Sequence, residues 1–150
     1  MNTADDNLEN NKALVREWLR AVIETGDDER VCRIMAPDCV DHDPAPGQAP
    51  GRAGHLAKLA YVRSVFSQRQ LTIEHLIAEG PFVVDHWTFE GLHDGAPFLG
   101  APATGARVRF RGIDIVRIVD GRITDIWHVE DFLSALQQVT TSQQALGGAA

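Results

Sequence analysis

The segment IDIVRIVDGRITDIWHVED, residues 113–131, places two aspartates, Asp114 and Asp131, in what otherwise reads as an apolar β-hairpin. Burial penalises the charged form of a carboxyl group, raises its pKa and makes the anion a stronger base. A base of that kind can remove a proton from a carbon next to a carbonyl. Each acid also has a structural role open to it. Aspartate is a favoured helix N-cap, and a helix is predicted to start at Asp131. Asp114 can equally be a buried, hydrogen-bonded structural acid.

The register of the hairpin decides which side chains these acids meet. Asp120-Gly121 predicts a two-residue turn, because a type I′ turn needs positive φ at both central positions. Val119 then pairs with Arg122, and counting outward sets Asp114 against Trp127, Ile113 against His128, Arg111 against Glu130 and Phe110 against Asp131. One face would hold Phe110, Gly112, Asp114, Val116, Ile118, Trp127, Val129 and Asp131. The other would hold Arg111, Ile113, Ile115, Arg117, Ile126, His128 and Glu130, an aliphatic patch suited to an outer surface or a dimer contact. Asp114 and Asp131 would lie about 13 Å apart, two polar stations along one pocket with Trp127 between them.

Other residues invite chemistry. An antiparallel register that brings Gly91 near Arg109 would set His86 opposite Asp114, where the two could hold a substrate oxygen or act as a second acid/base; an exposed strand histidine is the plain alternative. Asp41, His42 and Asp43 are ligand types for a divalent ion, but neighbours on an extended strand point to opposite faces. One of them, His42 or Asp41, is expected at a pocket rim instead. His55, His75 and His128 show no spacing that joins them as ligands, and His93 reads as a loop-fixing residue. Trp18, Phe66, Trp87 and Phe89 are expected in packing, with Trp18 able to reach the pocket. No serine or cysteine nucleophile motif, phosphate loop or dinucleotide fingerprint is present.

The elements that must position these residues follow from periodicity. Leu14, Val15, Trp18, Leu19, Val22 and Ile23 form a helical stripe, which Gly26 stops. Asp27 or Asp28 caps a second helix running to about Met35, ended by Pro37. A short extended piece around Val40–His42 precedes a proline- and glycine-rich loop. A third helix spans about Arg52 to Ser67, with His55, Leu56, Leu59, Val62 and Phe66 on its stripe. The period then becomes two, predicting strands over 71–79, 82–93, 107–119 and 122–130. A last helix from about Asp131 carries Phe132, Leu133 and Leu136, and the tail from Thr141 is expected to fray. The order ααβαββββα predicts an α+β domain with helices covering one face of a curved sheet.

The 150 residues suit one domain spanning 1–150, with a core of about 8–139. The net charge of −7 and the scattered basic residues argue against nucleic acid as a partner. No apolar run is long enough for a membrane span, and the acidic start MNTADDNLENNK is unlike a secretory signal. Cys32 and Cys39 match no zinc or redox spacing and are read as free thiols of a cytoplasmic protein.

Residues 91–131 also resemble the C-terminal half of the SnoaL-like polyketide cyclases, a family of the nuclear transport factor 2-like (ketosteroid isomerase-like) superfamily. The resemblance rests on Gly91-Leu92-His93-Asp94-Gly95, Pro102-Ala103-Thr104-Gly105, the strand from Phe110 to Ile118, Asp120-Gly121, and Trp127 with Asp131 four residues on. The segment 40–44, VDHDP, adds to it. It implies a cone-shaped, curved antiparallel or mixed sheet wrapped around helices. It also implies ring closure of a hydrophobic, oxygenated small molecule by intramolecular aldol condensation, with no metal and no organic cofactor. By the resemblance Asp131 is the general base and acid. The expected catalytic set is Asp131, Asp114 and His86, and the expected substrate contacts are Trp127, Phe110, Trp18, His42, Val129 and Phe66. A homodimer through the outer sheet face is expected. The same fold carries isomerases, dehydratases, epoxide hydrolases and non-catalytic binders. Two departures from the family are visible: His86 stands where arginine is frequent, and the Gly-Thr-His turn reads Gly-Leu-His.

Overall fold

The computed structural model describes residues 3–147. Helix α1 (Thr3–Leu19) runs into a π-helical turn (Arg20–Thr25). The wider turn advances the apolar stripe, so that Trp18, Leu19, Val22 and Ile23 are all buried. Gly26 ends it at φ +66°, its N–H donating to the Ala21 carbonyl. The Asp27 carboxylate accepts from the Arg30 N–H and caps α2 (Asp28–Ile34). The expected continuation of this helix towards Pro37 does not occur. Strand β1 (Met35–Asp41) begins at once and takes Pro37 into it. It can do so because β1 is an edge strand and its register breaks between Met35 and Val40, where a missing N–H leaves no ladder bond unmade.

Helix α3 (Gly51–Val65) passes directly into β2 (Phe66–Glu79). The strand starts five residues before the expected 71, because Phe66 belongs to its first turn in the core and not to the helix stripe. Its pairing with β3 shifts between Ser67 and Gln70, and Gln68 there has φ +47°. Strands β3 (Phe82–His93), β4 (Arg107–Val119) and β5 (Arg122–Glu130) fall where the period-two pattern puts them. Along β4 exposed and buried residues alternate without exception, which is what a sheet wetted on one face requires. Helix α4 (Phe132–Gly147) closes the fold, burying Ala135 and Val139 while Leu133 is exposed. It runs through most of the tail expected to fray; residues 148–150 lie outside the described ones.

The sheet has the order β1-β5-β4-β3-β2, antiparallel except for the parallel β1/β5 pair. Its concave face holds the core against the helices, giving the mixed, curved α+β architecture. The convex face carries exposed aliphatic side chains. There Ile113, Ile115 and Val129 are exposed, Val129 by 74%.

One correction changes the site. The turn is as expected, with Asp120 at φ +49° and Gly121 at +71°, and Val119 pairs with Arg122 and Ile118 with Ile123. The register then slips: Arg117 pairs with Asp125, leaving Thr124 as an extra residue in β5. Its hydroxyl bonds the Asp125 carboxylate at 2.8 Å. From there every β5 side chain changes face. Asp114 opposes His128 instead of Trp127, and Gly112 opposes Glu130. Ile126, His128 and Glu130 therefore turn inward, while Trp127 and Val129 turn out.

Candidate active site

Beneath the helices the concave face of the sheet encloses a mainly apolar cavity of about 150 Å³, walled by side chains that include Trp18, Val22, Leu59, Phe89, Phe110 and Phe132. Its rim is fixed by Tyr61 on α3, whose hydroxyl donates to the Pro97 carbonyl at 2.7 Å and ties the 94–106 loop to the helix. Polar groups enter the cavity from the sheet and from α3: Asp114 on β4, His128 and Glu130 on β5, and His55 and Lys58 on α3.

Asp114 is 5% exposed. The Trp87 indole N–H donates to its Oδ2 at 2.9 Å. Gly112 permits that bond: a Cβ there would lie 2.1 Å from the Trp87 ring, so the indole can cross β4 only over a residue with no side chain. Burial pushes the Asp114 pKa up to about 6, with the Trp87 hydrogen bond opposing and the Glu130 charge adding to the rise. Directly across on β3 stands Asp85, fully buried and pushed up to about 9 by burial and by the Asp114 charge.

A second polar cluster forms where β1 meets β5. Asp41 Oδ1 lies 2.8 Å from His128 Nε2, while its Oδ2 accepts from Gln48 Nε2 at 2.8 Å and from Lys58 Nζ at 3.4 Å. Burial alone would raise the Asp41 pKa, but its contacts with His55, Gln48, Lys58 and His128 outweigh that and hold it well below the usual carboxylate range. On its other side His128 places Nδ1 3.0 Å from Glu130. Burial and Lys58 work against the imidazolium, and the Glu130 bond with the charges of Glu130 and Asp41 outweigh them, so the His128 pKa is raised. Two carboxylates thus flank the ring, and the Lys58 ammonium lies 3.1 Å from Nε2, the same nitrogen that faces Asp41. His55 is held neutral chiefly by burial; it stacks on Trp18 with ring centroids 5.7 Å apart. Among the described residues no set of three His, Cys, Asp or Glu side chains is arranged to hold a metal ion.

Of the residues expected here from sequence, Asp114, Phe110 and Trp18 line the cavity. Asp131 does not: it is exposed, and its Oδ1 accepts from the Ser134 N–H at 3.0 Å as the N-cap of α4. His86 pairs with Ile113, one residue out of the expected register, and its Nδ1 meets that of His75 at 3.0 Å away from the cavity. His42 and Trp127 stack on each other with centroids 4.2 Å apart, and neither is on the cavity wall; nor is Val129. Phe66 is core, in contact with Phe89 and Phe98. Asp41, named with His42 as a rim residue, is the one that reaches the site. Sequence reasoning missed Asp85, Lys58, His128 and Glu130. The bulge at Thr124 hid the last two, whereas Lys58, next to Leu59 and one turn from His55, was legible on the inner face of α3.

A mainly apolar cavity with a buried carboxyl and a histidine on adjacent strands lies inside a sheet curved around helices. The chain belongs to the SnoaL-like polyketide cyclase family, whose model matches residues 13–139. It is 29% identical over 133 residues to the aklanonic acid methyl ester cyclase DnrD of Streptomyces peucetius, covering 84% of this chain and 88% of that protein. It is 30% identical over 123 residues to the nogalonic acid methyl ester cyclase of Streptomyces nogalater, covering 79% and 90%. Among solved structures, TsrD from Streptomyces laurentii superposes with a TM-score of 0.78 at 29% identity, covering 87% of this chain and 95% of that one. The characterised names among these relatives are cyclases, which supports a cyclase-type enzyme.

Proposed function

We propose that the protein closes a ring in a hydrophobic, oxygenated substrate of poly-β-ketone ester type by intramolecular aldol condensation, using its own side chains as acid and base. The carrying observation is the pair Asp114 and His128, cross-strand neighbours on one cavity wall, each with its pKa raised by its surroundings. Asp114, with a pKa near 6, is the base. It takes the proton from an activated carbon; the C–H electron pair stays on the substrate as an enolate, which attacks a ketone carbon in the same molecule. His128, held as the acid by Glu130 and Asp41, gives a proton to the alkoxide so formed. The base moves from Asp131 to Asp114 because only the latter touches the cavity. The enclosed space matches about one aromatic ring by comparison with engineered cavities of similar size, so the reacting ring sits inside and the rest of the substrate lies in the mouth beneath Tyr61 and Leu99.

Incubation with aklanonic acid methyl ester and related keto esters tests this reading. Ring closure above the buffer rate is expected from the wild type. Asp114→Asn should lower turnover by about 10²–10⁴-fold, the usual contribution of a general base. Equal turnover by both proteins would remove Asp114 as the base.

The same reading places the enzyme in the cytoplasm as a homodimer joined through the convex sheet face. The free thiols Cys32 and Cys39 and the exposed strip Ile113, Ile115 and Val129 support it. A second copy laid on that strip would cover apolar surface that this fold leaves wet.

A further inference from the structure

Asp85 is a buried carboxyl in the sheet that the mechanism above does not use. It is 0% exposed, and neither of its carboxyl oxygens meets a hydrogen-bond donor among the described residues. A carboxylate in that position would be uncompensated, and burying a bare charge is among the most unfavourable events in folding. A carboxylic acid there is different, because it carries its own donor. An acceptor stands directly opposite in Asp114, the cross-strand partner on the same face, and side chains so paired have Cβ atoms about 4.5–5.5 Å apart. On the other side of Asp85 the partner on β2 is Leu76, which offers neither charge nor hydrogen bond.

We propose that Asp85 and Asp114 form one proton-sharing carboxyl pair, in which Asp85 holds the shared proton and donates it in a hydrogen bond to Asp114, the member that faces the substrate. Asp85 is a positioning residue, since it does not line the cavity. This rests on the reading of Asp114 as base. The groups around Asp114 agree with a pair of charge −1. Trp87 donates to one oxygen. Lys58 and His55 face the cavity from α3, and His128 and Glu130 from β5. Among the described residues, the charged group that acts on Asp85 is Asp114, so a second negative charge there would meet only repulsion. The pair then works as a unit. When the substrate C–H bond breaks, an O–H bond forms on Asp114 and the pair goes from −1 to neutral, with the electron pair left on the enolate. When the product alkoxide is protonated by His128, the proton on Asp114 returns to the imidazole and the pair regains its charge. Two like carboxyls in contact titrate in two separated steps, the second displaced far upward.

Carbon-13 NMR of the intact protein labelled at the aspartate carboxyl carbons tests the pair without any substrate. One aspartyl carboxyl should remain protonated at pH 7.5, and its signal should vanish in Asp85→Asn. In Asp114→Asn the Asp85 titration should fall by at least one pH unit, because the neighbouring charge is gone. Asp85→Leu removes the donor and should move the Asp114 titration upward. Asp85→Asn, whose amide N–H can still donate, should bring it back towards the wild-type position, and this isosteric variant also guards against misfolding of the leucine one. Wild-type protein in which every aspartyl carboxyl has titrated below pH 6 overturns the proposal. So does an Asp85 titration indifferent to Asp114→Asn. If instead the two carboxyls titrate as a pair while Asp114→Asn turns over substrate normally, the pair stands and the assignment of the base falls.

Discussion

At Asp131 and Asp114 the same residue type does different work, and the difference is measurable. Asp131 is an exposed N-cap, so Asp131→Ala should lower stability by about 0.5–2 kcal/mol, as the loss of such caps does, while ring closure proceeds near the wild-type rate. Urea unfolding and turnover measured on the same preparation separate the two effects. A loss of turnover on the scale of Asp114→Asn would return the base to position 131. The His128 side of the site makes its own prediction. On the proposed mechanism Asp114 is ionised and His128 protonated, so kcat/KM should rise with pH through about 6 and fall as His128 deprotonates. Asp41→Asn removes one of the charges that raise the His128 pKa, so the alkaline limb should move to lower pH while the acid limb stays. The carboxylate at 114 was legible because it interrupts an apolar strand. His128 was legible only as a residue type, since its face depends on an insertion that no local pattern announces.

That insertion belongs to the scale of the element. The strand pattern of residues 122–130 offers two equally apolar faces: Ile126 with His128, or Trp127 with Val129. Periodicity alone therefore cannot choose the register. The turn chemistry of Asp120-Gly121 fixed the first two pairs correctly, and the extra Thr124 inverted everything after them. The misread element ends share a different physical origin, a boundary with no stop signal. Helix α3 runs into β2 without a loop, and α2 runs into β1 just as directly. Where stop signals exist, as at Gly26 and Gly80-Pro81, the elements were legible to within a residue or two. Gly112 shows how an element serves the site: Gly112→Ala should push the Trp87 ring off β4 and break its bond to Asp114. The expected result is a destabilisation of about 1–3 kcal/mol from overpacking, with an upward move of the acid limb of kcat/KM as Asp114 loses a donor. An unchanged limb would mean that the indole contact does not tune the acid.

For the whole molecule the cone solves one problem and creates another. Curving a five-stranded sheet around the helices shapes an apolar hollow, and the same burial makes the ionisable groups within it sensors of pH. Their signs can be worked out. Asp85 and Asp114 have folded pKa values above the unfolded 3.8, so they bind protons more tightly in the folded state. The stability they contribute is complete below about pH 4 and is lost as pH rises, through about 6 for Asp114 and about 9 for Asp85. His128, raised above 6.5, adds a loss in the same direction. Asp41 is lowered, so its contribution is present above 3.8 and lost as pH falls below it, and neutral His55 loses its contribution as pH falls through 6.5. The opposing trends place maximum stability on the acid side of neutrality, with a decline towards pH 9 that Asp85 extends beyond the range of the other groups. Asp85→Asn keeps the shape and removes the titration, so its urea midpoint should fall less between pH 6 and pH 9 than that of the wild type and overtake it at the alkaline end. A decline of equal steepness in the two proteins would show that Asp85 ionises as easily folded as unfolded, and that the interior is wetter at this point than its burial indicates.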